Sequence, residues 1–186
     1  MLRDSDVATL SIPVTSDDHV QGRIDAGVTL VEYGDYECLH CGLAYPIVKA
    51  VQARLGLRLR FVFRNFPLKE LHPHALPAAE AAEAAGAQGR FWDMHDLLFE
   101  HQRALSDDRL REYARALLLN ESQFARELTS RAHAARVQAD VAGGVRSGVN
   151  GTPTFFIDGV RHDGPWDVDS LTEVLERVAS GAAVGK

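Results

Sequence analysis

Two cysteines, Cys38 and Cys41, are the only sulfur nucleophiles in the chain, and they stand three residues apart in the run Glu-Cys-Leu-His-Cys-Gly. A pair at this spacing can hold a metal, brace a fold or exchange electrons. A structural zinc site needs four ligands, commonly two such pairs, and there is no second pair. His72 and His74 could supply two more ligands, but His-x-His on a proline-rich turn reads more simply as a solvated loop. Two cysteines in a chain of 186 residues are also too few for a disulfide scaffold. Redox chemistry is the reading that remains.

That chemistry needs an anionic sulfur. The run Val28-Thr-Leu-Val-Glu-Tyr-Gly34 is β-rich and bounded by turn signals, so it predicts a buried strand. After it, Leu43, Ile47, Val48, Val51 and Leu55 recur at helical spacing and predict a helix whose inward face they form. Cys38 therefore falls at a helix start, where unpaired N–H groups and the positive end of the dipole lower a thiol pKa. Cys41 lies one turn on, on the same side, within the Cα separation of roughly 4.4–6.8 Å that a disulfide requires. Cys38 is then the expected nucleophile and Cys41 the resolver, cycling through a Cys38–Cys41 disulfide. His40 between them would steady the thiolate and make the disulfide more oxidising.

The elements around this motif form a pattern. Residues 57–65 predict a second strand, so strand, helix and strand make a βαβ unit with a parallel pair. Residues 73–148 carry no convincing strand. They predict helices over 77–87, 91–102, 106–118 and 122–131, with a last one ending near Gly148. Ser106 is an expected N-cap, and Asn120 with Gln123 has the form of a capping box. Thr154–Ile157 and Val160–His162 flank Asp158-Gly159, a hairpin signal, and an amphipathic helix over 167–179 closes the chain before a frayed tail. The expected fold class is α/β, with a discontinuous sheet domain (1–66 and 149–180) interrupted by a helical block (67–148), then a tail (181–186).

Composition bounds the rest. A net charge of −6 disfavours nucleic acid, which demands a basic surface. No stretch approaches the roughly 18 apolar residues of a membrane span, and the first residues lack the pattern of an export signal. The expected location is therefore cytoplasmic. There are no internal repeats.

The run V-T-L-V-E-Y-G-D-Y-E-C-L-H-C (28–41) resembles the DsbA-like thiol–disulfide oxidoreductases of the thioredoxin superfamily. So do R-N-F-P-L (64–68), F-W-D-M-H-D-L-L-F (91–99) and G-V-N-G-T-P-T-F-F-I-D-G (148–159). The resemblance implies a thioredoxin-like fold with a large inserted all-helical domain. It implies that Thr152-Pro153 is a cis-proline site facing the cysteines, with the Thr152 backbone free to pair with an extended substrate. Glu32 matches an acid placed beneath the pair, whose raised pKa would let it relay the Cys41 proton. His40 matches the family's histidine, whereas Leu39 departs from the proline that precedes it in DsbA. Leu39, His40, Thr152 and Pro153 are the expected substrate contact. Trp92 and Met94 are expected in the core and His95 as a structural hydrogen-bonder.

Substrates would be protein or low-molecular-weight thiols and disulfides, with an unidentified redox recycling partner; no metal or organic cofactor is implied. Two other readings stay open: a glutathione-dependent transferase or isomerase, against which Cys41 argues, and a non-catalytic, redox-gated binding or chaperone-like module.

Overall fold

The computed structural model describes residues 8–181. The expected tail, apart from Gly181, lies outside them. The chain order is β1 (His19–Gln21), β2 (Val28–Gly34), α1 (Leu39–Leu55), a 3-10 turn (Gly56–Arg58), β3 (Leu59–Asn65), α2 (Ala75–Gly86), α3 (Phe91–Glu100), α4 (Asp107–Ala116), α5 (Glu121–Ser130), α6 (Ala134–Arg146), β4 (Thr154–Ile157), β5 (Val160–His162) and α7 (Val168–Ala179). The five strands form one sheet in the order β1-β3-β2-β4-β5. β2 and β3 run parallel, as a βαβ crossover requires, and the other pairs are antiparallel.

Every residue of the central strand β2 is buried. Alternation sends Leu30 to one face, into a core shared with α1, α2, α3, α4 and α7. Val31 and Tyr33 go to the other, into a smaller core with Val62, Phe66, Val149 and Phe156. Asp158 and Gly159, both at positive φ, make the β4–β5 turn.

Three expectations need correction. Leu43 is not part of the inward stripe of α1; it is 53% exposed. The buried stripe is Cys41, Ala44, Val48, Val51 and Leu55, so the second cysteine is its first member and Leu43 falls outside it. The capping box at α5 is half formed. Asn120 Oδ1 accepts the Gln123 N–H (2.9 Å), while the Gln123 amide turns to Glu127 (2.8 Å) and the Asn120 N–H goes to Gln88 (2.8 Å). The third is β1, a short strand with a histidine and a glutamine that carries no strand signal of its own. It is ended by Gly22 at φ +91°, where a Cβ would lie 2.3 Å from the Leu59 carbonyl oxygen.

Two buried polar assemblies fasten the periphery to the sheet. Arg64 on β3 donates to both Asp18 oxygens (2.7 and 3.0 Å), to the Ile12 and Pro13 carbonyls and to the Tyr33 hydroxyl (each 3.0 Å). All five guanidinium N–H donors are thereby used. At the end of β3, the Asn65 amide donates to Glu83 of α2 (2.7 Å) and its backbone N–H to Asp140 of α6 (3.0 Å), while His19 of β1 meets Glu83 at 2.9 Å. The helical block is thus tied to the sheet by polar bonds as well as by a continuous apolar core.

The Arg64–Asp18 pair is enclosed, with side-chain exposures of 4% and 5%. Asp18→Ala would leave a buried, unpaired guanidinium and should cost about 3–5 kcal/mol. Urea unfolding checks this; a loss below about 1 kcal/mol, the range of surface pairs, would show that the pair is not a brace.

Candidate active site

The site is built where β2 hands over to α1. Cys38 is the N-cap residue of α1, with extended φ and ψ (−72°, 124°). Its sulfur therefore occupies the place where a Ser or Asp side chain would receive the N–H groups two and three residues on. Here those amides belong to His40 and Cys41. No capping bond is formed to the sulfur, yet both amides help to lower its pKa.

Both thiols are free and buried. The Cys38 thiol is pulled down to about 4. Its leading cause is the hydrogen bond from the Cys41 thiol; Thr152 and the two amides add to it, and together they outweigh partial burial. The Cys41 thiol is pushed well above its ordinary value, first by burial, then by its bond to Cys38 and by the nearby Glu32 and Cys38 charges. Its sulfur accepts the Asp35 N–H at 3.4 Å. One sulfur is thus poised as an anion and the other held as a thiol.

Beneath them lies Glu32, 2% exposed, on the face of β2 that points into the main core. Its Oε1 has no hydrogen-bond partner among the described residues. Burial, then the charge of Cys38, raises its pKa to about 8. From the opposite side comes the loop before β4. The Thr152–Pro153 bond is cis. The Thr152 carbonyl lies 3.4 Å from Cys38 Sγ and accepts its S–H only while Cys38 is protonated; the lowering influence of Thr152 comes from its side chain, whose buried hydroxyl has no other partner.

Cys38, Cys41, Glu32 and Thr152 are therefore brought together, with Pro153 beside them in the chain. Leu39 (69% exposed) and His40 lie on the solvent side of the first turn of α1. With Leu43 they give this rim an apolar character. His95 is buried in an aromatic cage that includes Phe63, Trp92 and Phe99. Its Nδ1 lies 3.1 Å from the Tyr36 hydroxyl, and burial holds its pKa well below the usual range. Met94 is fully buried, and Trp92 packs against the core and donates to the Val20 carbonyl (3.2 Å).

His72 and His74 lie on a largely exposed loop, as the sequence reading has it, but both rings are paired. His72 Nδ1 lies 2.8 Å from Asp35 Oδ2, and His74 Nδ1 lies 2.9 Å from Glu37 Oε1. Two carboxylates from the segment just before Cys38 thus grip the loop that opens the helical block. Gln102, past the end of α3, completes the clasp: its amide donates to the Tyr36 and Cys38 carbonyls, both at 2.9 Å. Gly42 makes room for it, since a Cβ there would lie 1.9 Å from Gln102 Oε1. Asp35, His72 and Gln102 escape sequence reasoning because each is recognisable only through its partner. The one available signal is an acid three residues before the first cysteine. Among the described residues no group of three or more Cys, His, Asp and Glu could hold a metal.

Against known proteins, the family model described as thioredoxin matches residues 14–177. The chain belongs to the thioredoxin family, and its architecture is that of the DsbA-like thiol–disulfide oxidoreductases. BdbD from Bacillus subtilis superposes with a TM-score of 0.83 at 24% identity, covering 95% of this chain and 100% of that one. A thioredoxin-like oxidoreductase from Silicibacter pomeroyi gives 0.75 at 26% identity, covering 89% and 94%. In sequence, the chain is 45% identical over 176 residues to a protein named Na(+)/H(+) antiporter NhaA 1 from Salinispora arenicola, covering 94% of this chain and 27% of that protein. It is 46% identical over 170 residues to one named Na(+)/H(+) antiporter NhaA 3 from Salinispora tropica, covering 91% and 26%. The chain thus spans about a quarter of the length of these curated relatives.

Two outcomes test this electrostatic picture. Alkylation of Cys38 by iodoacetamide should be nearly flat between pH 6 and 8, where an unassisted thiol's rate rises roughly a hundredfold. A hundredfold rise would refute the N-cap account. For Glu32, a carboxyl whose folded pKa lies above its unfolded value costs nothing below the unfolded value. It then destabilises the fold increasingly as pH rises toward the folded value. Glu32→Gln should remove that decline and stabilise the protein by on the order of 3 kcal/mol at pH 7. Urea unfolding at pH 5 and 7 reads this, and parallel losses in both proteins would contradict it.

Proposed function

We propose that this protein is a thiol–disulfide oxidoreductase in which Cys38 is the nucleophile and Cys41 the resolving thiol. The observation that carries this reading is the opposite displacement of the two sulfurs at one helix start. The Cys38 thiolate attacks a substrate disulfide, forming one S–S bond and releasing the substrate's other sulfur as a thiolate. Cys41 then displaces the bound substrate sulfur, closing the Cys38–Cys41 disulfide. Run in reverse, with a substrate dithiol, the same steps oxidise the substrate and return the pair to the reduced state.

Glu32 serves as the proton relay for Cys41. Once Cys38 is bonded to substrate its negative charge is gone, and with it one of the causes that raise the Glu32 pKa. Glu32 then ionises more readily, at the moment when a base for the Cys41 proton is needed. Leu39, His40, Thr152 and Pro153 form the substrate contact, supported by the exposure of the first two and by the closeness of Thr152 to Cys38. The substrates are protein or low-molecular-weight thiols and disulfides, and a separate thiol system recycles the pair. In a cytoplasmic setting that pair would rest reduced. A transferase reading gains nothing from a buried second sulfur with a base beneath it.

The antiporter relatives favour a second reading, in which this unit reports redox state to a transporter. No helix of the described residues is long and apolar enough to cross a membrane, so the transport itself would reside elsewhere. Ion flux through vesicles holding such a transporter, with this unit oxidised or reduced, decides it; equal fluxes reject it.

A redox titration against glutathione tests the main proposal. The stabilised thiolate should place the potential between the roughly −270 mV of thioredoxin and the roughly −120 mV of DsbA. A value below that of thioredoxin would overturn the oxidising tendency. Cys41→Ser should accumulate mixed disulfides through Cys38, and Cys38→Ser should abolish exchange. Full exchange activity in Cys38→Ser would leave only a binding role.

A further inference from the structure

Asp35 lies three residues before Cys38 and touches both cysteines through its backbone. Its carbonyl accepts the Cys38 N–H (3.2 Å), and its own N–H donates to Cys41 Sγ (3.4 Å). Its side chain is enclosed and faces the other way. Oδ1 accepts the Glu37 N–H, and Oδ2 accepts the Leu68 N–H and a ring N–H from His72, each at 2.8 Å. Three donors converge on this carboxylate, so His72 Nδ1 carries hydrogen and the ring is fixed in orientation. The His72 side chain is 24% exposed, which keeps its charge only partly screened by solvent.

Resting on the exchange reading above, we propose that His72, oriented by Asp35, is an electrostatic partner of the Cys38 thiolate and stabilises the reduced form. Its charge is favoured in this setting. Partial burial opposes it, but the bond and charge of Asp35, followed by Cys38 and Glu37, outweigh burial and raise its pKa. Asp35 is the charged group in direct contact with it, and His74, two residues on, is engaged with Glu37. Reduction of the disulfide by two equivalents of a small thiol oxidises those thiols to a disulfide. It leaves an anion at Cys38, one proton on Cys41 and the second proton released to solvent. The anion strengthens the hold of His72 on its proton, and reoxidation removes that help. His72 thus couples the redox state of the pair to protonation of a residue in another loop. The coupling is reciprocal, since a charged His72 must favour the reduced pair to the same extent.

The test uses the whole chain. NMR titration of the His72 ring in the wild type should give a higher pKa in the reduced than in the oxidised protein, and coincident curves overturn the proposal. In His72→Gln, the Cys38 alkylation midpoint should rise, and the equilibrium constant for oxidation of glutathione should fall about tenfold, equivalent to ~30 mV. An unchanged constant and midpoint overturn it too. If wild-type Cys38 itself titrates as an ordinary thiol, the exchange reading fails, and this proposal with it. If wild-type Cys38 titrates low and His72→Gln does not move it, only the assignment of His72 fails. The wild-type NMR measurement stands even if the variant does not fold.

Discussion

A negative sulfur at a helix start is the constraint on which the rest of this molecule depends. Such a charge is tolerable in a nearly closed position only if donors already point at it, because an unpaired buried charge costs several kcal/mol. Cys38 meets that condition by being the N-cap of α1. The donors are the first amides of the helix and the thiol of Cys41, all fixed by the same turn of backbone. That turn must itself be held, and the holding is done from outside the helix. Asp35 fixes both cysteines from just past the end of β2, Gln102 binds the carbonyls of Tyr36 and Cys38, and Thr152 closes the remaining side.

The helical block therefore helps to hold the cysteine turn, although it carries neither cysteine. Its entry loop supplies His72 and His74, and the end of α3 supplies Gln102. Behind these contacts, His95 supports Tyr36 from within an aromatic cage, and Asn65, Glu83 and Asp140 anchor the block to β3. Neutral His95 and paired His72 show how position decides the role of a residue type. The first is desolvated on all sides, which disfavours its charged form; the second has a carboxylate on one ring nitrogen, which favours its charged form.

What could be read from the amino-acid order follows a physical rule. Strands β2 and β3, helix α1, the β4–β5 hairpin and α7 were legible because their apolar periodicity and turn residues are local. The cysteine motif was legible because its geometry is set by four consecutive residues, the N-cap and first turn of one helix. Strand β1 was not legible, since His19-Val20-Gln21 becomes a strand only when β3 offers an edge. Leu43 was misread for a related reason. Cys41 is apolar enough to begin the inward stripe of α1, and the helix face is set by that residue and not by Leu43. Asp35, His72 and Gln102 are polar residues without a periodic signature, and their roles exist only as long-range pairs.

Below the cysteines sits Glu32, buried, with one oxygen unpartnered and its charged form disfavoured. Beside Cys38, across Asp35, sits His72, with its charged form favoured. Both are coupled to the Cys38 charge, and in the same sense: the anion raises the proton affinity of each. When that charge is present, Glu32 holds its proton and His72 holds its own; when it vanishes into a disulfide, both release more easily. A single change at one sulfur is thus felt by an acid in the core and a base at the surface. In the proposed cycle the inner carboxyl, buried near Cys41, is the group assigned to proton transfer during resolution. The outer imidazole, partly exposed, is in the same proposal the group that exchanges a proton with the surroundings. Such a division follows from burial alone, since a group cut off from water cannot trade protons with it quickly, whereas a partly exposed one can.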